Sequence, residues 1–577
     1  MHKLLLKYFP IIQVLREYNL DKLKADVISG STVGIVLIPQ GMAYAVIAGL
    51  PPIYGLYAGL VPLFIYPLFG TSRHLSIGPV AIDMLILAAG LGFLAGDNMT
   101  DKIIFAIMIA LMTGIFQLMM GFMKLGFVFN LFSRPVISGF TIAAPIIIIT
   151  SQVGILLNID VPNSQFIHEM IYYVSQQIEN IHWPSFGLSF FFVLFLLLMR
   201  KYYSKLPESV ILVTITIIVL SFISISKWGI AQVGDIPQGL PDFSIPNLSL
   251  ESIKRLAPNA FTLALIQFMT VASLSKSFAR KHAYTVNPNQ ELIAIGSSNV
   301  IGSLFQSLPV SSSFTRSAIA DQSGTETSLT NVFAGILILF TLLFLTPLFE
   351  ILPEPLLGAI IVVSVSSLID IKELRFLINT KRRDALVAFI TVISVLAIGI
   401  QEGIIIGLVS SVLALLLKMS KPTVAELGLI PGTRDFKNKN RFSEVKQIPG
   451  VLILRVDAPF SFVNAEFFKN YILEKSMNGL DAPKYVIIDG TTIGDLDVSA
   501  MDSLLMIIET LKKEGIELYI SGLIGPVRDV IRKSDISTFV KSDRFFNTVH
   551  DGVKAALKRQ DDGDGGNRLN EYLQHCA

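Results

Sequence analysis

The amino-acid sequence predicts a polytopic, all-α membrane domain followed by a small cytoplasmic α/β domain. Hydrophobic residues make up 52% of the 577 residues and charged residues only 16%, whereas about a quarter of the residues of a soluble domain are charged. Long apolar stretches recur along the chain, and a membrane-spanning helix needs about 20 such residues. The stretches without any charged residue, which exclude a soluble protein, are 103–122, 185–199, 331–349, 385–400 and 403–417.

The N-terminal segment, residues 1–25, is interrupted by charged residues and does not fit a cleavable signal peptide. Its pattern favours an amphipathic cytoplasmic segment on the membrane surface. The transmembrane domain follows as residues 26–420. Basic clusters alternate with loops that are poor in cations, so the positive-inside rule places both termini in the cytoplasm and requires an even number of spans. Hydropathy alone indicates about ten to twelve spans, and short or broken segments would supply the rest.

The composition changes near Lys418, and an α/β domain is expected over residues 440–558. Its buried strands are predicted at 451–457, 484–490 and 516–522, and its amphipathic helices at 499–515 and 525–535. Residues 559–577 begin acidic and glycine-rich, which predicts a flexible tail. Cys576 is the single cysteine, and no Cys/His pattern has the spacing of metal ligands, so neither a disulfide nor a metal site is expected.

Two membrane segments are too short or too polar to be simple spans. Residues 70–90 and residues 309–322 each begin with small polar residues, continue into a short apolar run and contain an aspartate, Asp83 or Asp321. They occupy corresponding places in the two halves of the membrane domain. Paired interrupted segments of this kind indicate inverted repeats with a binding site near the middle of the bilayer.

The second broken segment has the composition of an anion site. Ser311, Ser312, Ser313 and Thr315 precede Arg316. A helix that begins inside the membrane presents unpaired backbone N–H groups and the positive end of its dipole, and two such ends can hold an anion. Arg316 would add a cation on the first turn. Small hydroxyl residues are also common at ordinary helix–helix contacts in membranes, so for the serines packing remains an alternative.

A third element, residues 36–59, is rich in proline and glycine. Gln40 and Tyr44 are one helical turn apart and therefore share a face. Their amide and phenol could donate to an anion or could serve packing alone. Asp83 and Asp321 could carry coupling protons, since buried carboxylates often do so in transporters, or could be paired structural acids.

Two long stretches resemble a known family. The segment "PPIYGLYAGLVPLFIYPLFGTSRHLSIGPVA" (51–81) is similar to the signature of the SulP anion transporters, the bacterial and plant relatives of the animal SLC26 proteins. The segment "KHAYTVNPNQELIAIGSSNVIGSLFQSLPVSSSFTRSA" (281–318) resembles the second half of the same core, and the C-terminal domain resembles a STAS domain. The resemblance covers nearly the whole chain.

The resemblance implies about fourteen membrane helices in two inverted seven-helix repeats, divided into a core and a gate, and a homodimer. It implies elevator-like alternating access, with an anion such as sulfate, bicarbonate, chloride or oxalate between the third and tenth helices, beside the first helix. The substrate-binding positions that match the family's are Gln40, Tyr44, Val80, Ala81, Ser313, Thr315 and Arg316. Family members often carry phenylalanine where Tyr44 stands.

The sequence departs from the family at two places. Many proton- or sodium-coupled relatives have a carboxylate in the eighth helix, but residues 261–279 contain none and the matching position is Thr270. This puts proton symport in doubt and leaves Asp83, Asp321 and Thr270 as coupling candidates. In the STAS domain, Val498 stands where bacterial relatives carry a phosphorylated serine, so a phosphorylation switch of that type is not expected.

The favoured function is secondary transport of an inorganic anion, with sulfate first, in the cell membrane. The alternatives are a chloride/bicarbonate exchanger, an uncoupled channel-like protein and, less favoured, a membrane-anchored STAS signalling protein, which would need no buried Arg316. No nucleotide-binding loop or nucleophile–base arrangement occurs, so an enzyme is not expected, and no cofactor or nucleic acid is implied. The expected partners are the anion, H⁺ or a counter-anion, the lipid bilayer and a second copy of the chain.

Overall fold

The computed structural model describes residues 8–94, 98–127, 133–161, 166–203, 207–223, 225–234, 236–246, 249–367, 369–477, 482–534, 536–540 and 542–576. The chain separates into two compact units, residues 1–411 and residues 412–577. The first seven residues of the predicted N-terminal segment lie outside the described part. The remainder of that segment holds a short helix and the first turns of a long one.

The first half of the membrane unit consists of helices and one very short strand. They are α1 (Ile11–Arg16), α2 (Leu20–Ile47), α3 (Ile53–Ala58), α4 (Val61–Phe69), β1 (Ile77–Gly78), α5 (Ala81–Leu94), α6 (Met99–Phe122), α7 (Arg134–Ser151), α8 (Val153–Leu157), α9 (Ile167–Gln176), α10 (Trp183–Tyr202) and α11 (Glu208–Leu220). Two short 3₁₀ turns follow α9 and α11, at Ile178–Asn180 and Ser226–Trp228.

The second half repeats this plan with its own very short strand. Its elements are α12 (Leu250–Lys281), α13 (Pro288–Ser303), β2 (Ser311–Ser312), α14 (Phe314–Gln322), α15 (Thr330–Phe340), a π-helical turn (Thr341–Leu345), α16 (Pro347–Glu350), α17 (Glu354–Ser366), α18 (Ile371–Thr380), α19 (Arg382–Ile398) and α20 (Ile400–Ser420). Among the described residues, seven helices are long and apolar enough to cross a membrane, and further apolar helices are shorter.

The helix count fits the predicted repeat. If α3 and α4, α7 and α8, and α15 and α16 are each counted as one broken helix, and the short helices α1, α9 and α18 are left out, about fourteen helices remain in the described part of the chain. Helices α5 and α14 are then each the third of seven, and a short strand precedes each of them. The two broken segments therefore hold equivalent places in the two halves.

Polar side chains begin several of the long helices. The Asn19 side chain accepts a hydrogen bond from the Lys22 amide at the start of α2, and Ser249 accepts one from Ser252 at the start of α12. Such caps satisfy backbone donors that have no partner within the helix. Apolar residues then fill both helices, so that membrane or protein can cover every face.

The membrane helices pack in two groups. In the first, α13 lies against α4 and α6, α12 lies against α6, and α15 lies against α2. In the second, α17 and α19 lie against α7, and α17 also lies against α10. Helix α2 contacts α17 and so lies at the boundary between the two groups.

Glycines let α6 and α13 approach each other closely. A Cβ atom at Gly114 would lie 2.7 Å from the Gly296 carbonyl oxygen, and one at Gly296 would lie 2.9 Å from the Gly114 carbonyl oxygen. The obstacle in each direction is backbone, which cannot rotate away as a side chain can. Small residues commonly allow such contact between membrane helices.

The second unit is an α/β domain with one six-stranded sheet in the order β4–β3–β5–β6–β7–β8. Strands β5 to β8 are parallel, while β3 is antiparallel to both of its neighbours. The elements are β3 (Val424–Leu429), β4 (Phe436–Asn438), β5 (Val451–Val456), α21 (Ala465–Met477), β6 (Tyr485–Asp489), α22 (Val498–Lys513), β7 (Glu517–Ser521), α23 (Gly525–Lys533), α24 (Ile536–Phe539), a 3₁₀ turn (Ser542–Arg544), β8 (Phe545–Phe546), α25 (Val549–Asp564) and α26 (Arg568–Cys576).

Alternate residues of the central strand serve different faces of this sheet. Val486 and Ile488 of β6 belong to the apolar cluster that α21 to α23 cover, whereas Tyr485 and Ile487 belong to the cluster that α25 covers. This alternation is what the pleat of a buried strand requires. The three strands and two helices that the sequence predicts are present. The additional elements are the strands β3, β4 and β8 and the helices α21, α24, α25 and α26.

The tail that we predict to be flexible is helical in the structure. Helix α25 continues to Asp564, and α26 follows after a short turn. The Asp561 carboxylate accepts hydrogen bonds from the backbone N–H groups of Arg568 and Leu569, and Tyr572 is buried against the apolar cluster under α25. A few apolar residues at helical spacing therefore outweigh the acidic, glycine-rich start of the segment.

Replacing Gly114 or Gly296 by alanine should destabilise the membrane unit by about 1–3 kcal/mol, because the added methyl group meets backbone in an already close-packed contact. The measurement is the thermal unfolding midpoint of the purified protein in detergent. Gly187→Ala, in α10, is the matched control, since a Cβ there meets no atom within 4 Å. Equal midpoints for all three variants would contradict this account of the contact.

Candidate functional site

The two broken segments meet through their short strands. Strands β1 and β2 pair antiparallel, with Ile77 opposite Ser312 and Gly78 opposite Ser311. Helix α5 begins three residues after the first strand and α14 two residues after the second. Because the strands are this short, the N-terminal ends of the two helices lie beside the paired strands β1 and β2, which we call the crossing.

Side chains from neighbouring elements complete the backbone pairing at this crossing. The Asn331 side chain accepts a hydrogen bond from Ile77 N–H (3.1 Å) and donates one to the Leu75 carbonyl (2.8 Å). The Ser76 carbonyl accepts from Ser313 N–H at 3.0 Å. Buried backbone groups need such partners, and here they come from side chains and single cross-strand bonds rather than from a wide sheet.

A buried carboxylate fixes the approach to β1. Glu291, in α13, is fully buried and accepts hydrogen bonds from the Tyr66 hydroxyl (2.7 Å) and from the backbone N–H groups of Thr71 (2.7 Å) and Ser72 (3.0 Å). The Thr71 hydroxyl donates to the same carboxylate. A carboxylate with four donors is stable in a buried position, so Glu291 holds the segment that leads into the first half-site.

Arg316 joins the two half-sites and keeps one nitrogen free. Its side chain is fully buried. Nη2 donates to the Pro79 carbonyl (3.0 Å), just before α5, and Nε donates to the Ser76 hydroxyl (3.4 Å). Nη1 has no hydrogen-bond partner among the described residues. A buried guanidinium with an unused donor is costly unless an acceptor, such as an anion, completes it.

The first turns of both helices supply further donors. In α5 the first intrahelical hydrogen bond runs from Met84 N–H to the Val80 carbonyl, so Ala81 N–H lies ahead of the ladder. In α14, Ser313 is the N-cap and its hydroxyl accepts from Arg316 N–H (3.4 Å), while Thr315 N–H again precedes the ladder. Both N-termini therefore present unpaired N–H groups and positive dipole ends.

The remaining predicted substrate-binding residues lie on α2. Gln40 and Tyr44 are both buried, and the Gln40 amide donates to the Ser364 hydroxyl of α17 at 3.4 Å. The Gln40 side-chain oxygen has no partner within the described residues. The Tyr44 phenol lies near Arg316 and Ser364. The structure thus places α2 beside the crossing, at the boundary with the second packing group.

The three coupling candidates lie in different surroundings. Asp83, in the first turn of α5, is buried and interacts electrostatically with Arg316. Asp321, at the far end of α14, forms ion pairs with Lys281 and His282. The Thr270 hydroxyl donates to the Ile266 carbonyl of its own helix at 3.0 Å. Of the three, Asp83 alone is in electrostatic contact with Arg316 in the described structure.

A chain of buried amides connects Asp83 to β2, and sequence reasoning misses it. Gln267 donates to the Asp83 carboxylate (3.0 Å) and accepts from Gln117 (2.8 Å) and Asn299 (3.1 Å). Asn299 also accepts from Val310 N–H (2.8 Å) and donates to the Val310 carbonyl (3.2 Å). The available signal is the presence of amide side chains in the mainly apolar helices α6, α12 and α13.

Comparisons with known proteins place this geometry in a family. The model of the "Sulfate permease family" matches residues 23–391, and the model of the "STAS domain" matches residues 443–552. The chain is 35% identical over 567 residues to sulfate transporter 4.1, chloroplastic, of Arabidopsis thaliana, covering 95% of this chain and 82% of the relative. It is 32% identical over 550 residues to a probable sulfate transporter of Mycobacterium tuberculosis, covering 95% and 98%.

Solved structures show the same fold. The structure of SLC26A9 superposes with a TM-score of 0.88 at 21% sequence identity and covers 98% of this chain and 95% of that one. The transmembrane domain of a cyanobacterial bicarbonate transporter, BicA, superposes with a TM-score of 0.59 at 21% identity and covers 68% of this chain and 98% of that one. The predicted fold class, a helical membrane domain followed by a STAS domain, is confirmed.

Replacing Arg316 by lysine should weaken anion binding at least tenfold while the protein still folds. One ammonium group cannot contact Pro79, Ser76 and an anion in the geometry of a guanidinium fork. The measurement is the sulfate concentration that gives half of the maximal rise in the thermal unfolding midpoint. Arg73→Lys is the control, because Arg73 is exposed and its guanidinium lies over the Tyr284 ring. An unchanged sulfate dependence in Arg316→Lys would rule out Arg316 as an anion contact.

Proposed function

The chain belongs to the sulfate permease family, and on that premise we propose that it is a secondary transporter of inorganic anions, with sulfate as its substrate. The observation that carries the proposal is the fully buried Arg316, whose Nη1 has no partner among the described residues and which lies between the two half-helix N-termini. A sulfate ion carries only acceptor oxygens. It suits a site whose surrounding groups are mainly donors.

The proposed binding site combines one cation with neutral donors. Nη1 of Arg316, the hydroxyls of Ser311 and Ser312 and the first N–H groups of α5 and α14 would surround the anion. Both serine hydroxyls are buried without a hydrogen-bond partner in the described structure. Val80, Ala81 and Thr315 would contribute through the backbone, as helix N-termini do in other anion sites. Ser313, whose N–H already donates to the Ser76 carbonyl, would contribute as the N-cap of α14.

Gln40 and Tyr44 would close the site from α2. The Gln40 amide can rotate to donate to the anion, and the Tyr44 hydroxyl can donate or accept. Both also contact Ser364 of α17, so they connect the anion site to the second packing group. This position gives them a role in both binding and movement.

We propose elevator-like alternating access for the movement. Helices α5 and α14 join the first packing group through the contacts of α5 with α12 and of α14 with α2, so this group holds the β1–β2 crossing, while the second group contains α7, α10, α17 and α19. Sliding of the first group along the second would carry the bound anion without dismantling the site. The contact between Gln40 and Ser364 lies at that boundary and would have to break and reform.

Charge arguments select Asp83 among the coupling candidates. Protonation of a carboxyl group near the site removes a negative charge that would repel a doubly charged anion. Asp83 is buried and linked electrostatically to Arg316, whereas the Asp321 carboxylate already pairs with the Lys281 ammonium and contacts His282, and the Thr270 hydroxyl cannot carry a proton in this way. The proposal is therefore proton-linked sulfate transport through Asp83.

The cellular arrangement is likewise a proposal. The basic clusters favour a cell-membrane protein with both termini and the STAS domain in the cytoplasm, and the family resemblance favours a homodimer. The domain limits 1–25, 26–420, 440–558 and 559–577 are retained as working boundaries. Val498, at the start of α22, is 68% exposed and cannot be phosphorylated, so assembly or gating suits this STAS domain better than a phosphorylation switch.

Purified protein in proteoliposomes should take up radiolabelled sulfate, and Arg316→Ala should reduce the initial rate at least tenfold because the anion loses the buried guanidinium of Arg316. Arg73→Ala, which removes an exposed arginine, should retain the wild-type rate. If the protein transports chloride or bicarbonate but no sulfate, the sulfate assignment is wrong and chloride or bicarbonate is the substrate. This second candidate is favoured by the structural similarity to a bicarbonate transporter.

An inward proton gradient should accelerate sulfate uptake by the wild-type protein, and Asp83→Asn should abolish that acceleration, because an amide cannot exchange the proton. Asp321→Asn and Thr270→Ala should keep it. The measurement is the ratio of initial rates with and without the gradient. A wild-type ratio of one would indicate exchange or uncoupled transport, and a ratio lost only in Asp321→Asn would move the coupling site to the far end of α14.

A further inference from the structure

Two histidines and an aspartate meet outside the anion site. His74 lies in the segment before β1, His282 follows the last residue of α12, and Asp321 lies at the end of α14. One potential ligand atom from each of the three residues lies within 4.8 Å of the other two. The His74 and His282 rings are stacked, with centroids 4.2 Å apart and planes inclined by 14°.

The hydrogen bonds around Tyr284 accommodate the His74 tautomer that a metal site needs. The Tyr284 hydroxyl oxygen accepts from Arg73 N–H (3.4 Å) and lies 3.2 Å from the Ser72 hydroxyl and 3.1 Å from His74 Nδ1. When the single phenol proton is directed to Ser72, the oxygen can accept from an N–H group on His74 Nδ1. In that arrangement the lone pair of His74 is on Nε2.

The second histidine and the carboxylate share a short contact. His282 Nε2 lies 2.6 Å from Asp321 Oδ1, and the ammonium of Lys281 pairs with Oδ2 of the same carboxylate. This contact by itself is an ordinary ion pair. What it leaves unexplained is the buried His74, whose ring is stacked on His282 with its basic nitrogen available.

We propose that His74, His282 and Asp321 form a binding site for a divalent transition-metal ion, with Zn²⁺ as the ion that the ligands suit best. The ligand atoms would be Nε2 of each histidine and Oδ1 of the aspartate, and water would take the fourth position. Imidazole nitrogen and carboxylate oxygen are ordinary zinc ligands. Zn²⁺ binding requires the neutral His282 tautomer with its proton on Nδ1, so that the lone pair of Nε2 binds the metal.

Metal binding needs a rearrangement of the side chains. Tetrahedral bonds of about 2.0–2.1 Å place ligand atoms about 3.3 Å apart, whereas the present ligand atoms lie within 4.8 Å of one another. One ring must also rotate out of the stack so that both imidazole planes contain the ion, and the partly exposed His282 has room to do so. The contact from Nδ1 of His74 to Tyr284 matches the outer hydrogen bond that metal-binding histidines make.

A metal here would tie three segments of the first packing group. Asp321 lies five residues beyond Arg316 on α14, about 7.5 Å along the helix axis, and His74 lies just ahead of β1. The ion would therefore clamp the far end of one half-helix to the segment that leads into the other. The site is distinct from the proposed anion site, and its occupancy can be measured without any transport.

Lys281 provides a sharp test, since its ammonium lies beside the proposed metal position. The side chain holds Oδ2 of Asp321 but repels a divalent cation at Oδ1. Lys281→Gln keeps all three ligands and removes one positive charge. It should therefore bind Zn²⁺ about tenfold more tightly than the wild-type protein.

The experiment is calorimetric titration of the full-length protein in detergent with ZnCl₂, in a Cys576→Ser background that removes the only thiol. We expect one zinc ion per chain, with affinity lowered at least tenfold by His74→Ala and by His282→Ala. His168→Ala, a histidine outside the cluster, should bind as the parent does. Folding of each variant is checked by its thermal unfolding midpoint.

The possible results of these titrations distinguish a metal site from its absence. Absence of zinc binding by the parent protein, or one affinity shared by the parent, both histidine variants and Lys281→Gln, would overturn the site. Should the histidine variants unfold, Lys281→Gln still decides, together with Co²⁺ absorption, which reports tetrahedral nitrogen and oxygen ligands. Because the titration measures zinc binding and involves no sulfate and no proton gradient, failure here leaves the proposed transport function untouched.

Discussion

The constraint on which the rest of the structure depends is that backbone polar groups inside a membrane need partners. A helix that begins inside the membrane leaves the backbone N–H groups of its first turn without partners in the helix. The chain meets the constraint at β1 and β2 by a minimal antiparallel crossing, by the Asn331 side chain, and by the carboxylate of Glu291 further back. The first N–H groups of α5 and α14 lie ahead of their helical hydrogen-bond ladders, beside this crossing. The proposed anion site uses these donors.

Arg316 links the two half-sites and adds a positive charge to them. Two of its nitrogens are used for structure, on Pro79 and Ser76, and so the guanidinium cannot be removed without loosening both half-sites. On the opposite side the amides of Gln267 and Asn299 satisfy Asp83 and Val310 with neutral groups. Neutral amides supply hydrogen bonds without adding charge, so the balance of charge at the crossing is left to Arg316, Asp83 and the bound anion.

The sequence locates candidate residues that stand out from their immediate neighbours. It misses those whose role depends on contacts with residues distant in the chain. Charged and hydroxyl residues in apolar surroundings identify Arg316 and Asp83, and one helical turn links Gln40 with Tyr44. Gln267, in contrast, contacts Asp83 only because α12 packs against α5, so its role cannot be read from the sequence. Rules for the spacing of metal ligands do not detect the proposed metal site, because its ligands come from three separate segments of the chain. Strands β3 and β4 and the helical tail escape prediction because short or polar segments are stabilised by partners distant in sequence.

The absence of a carboxylate from residues 261–279 is consistent with a divalent substrate. Each half-helix N-terminus contributes about half a positive charge, and Arg316 contributes one more, while Asp83 subtracts one when it is ionised. The site then carries about one positive charge, which leaves a sulfate ion half neutralised. Protonation of Asp83 adds the missing charge, whereas a second carboxylate on α12 would remove it again. An amide at Gln267, which binds Asp83 without a charge of its own, is therefore the side chain that this electrostatic balance favours at that position.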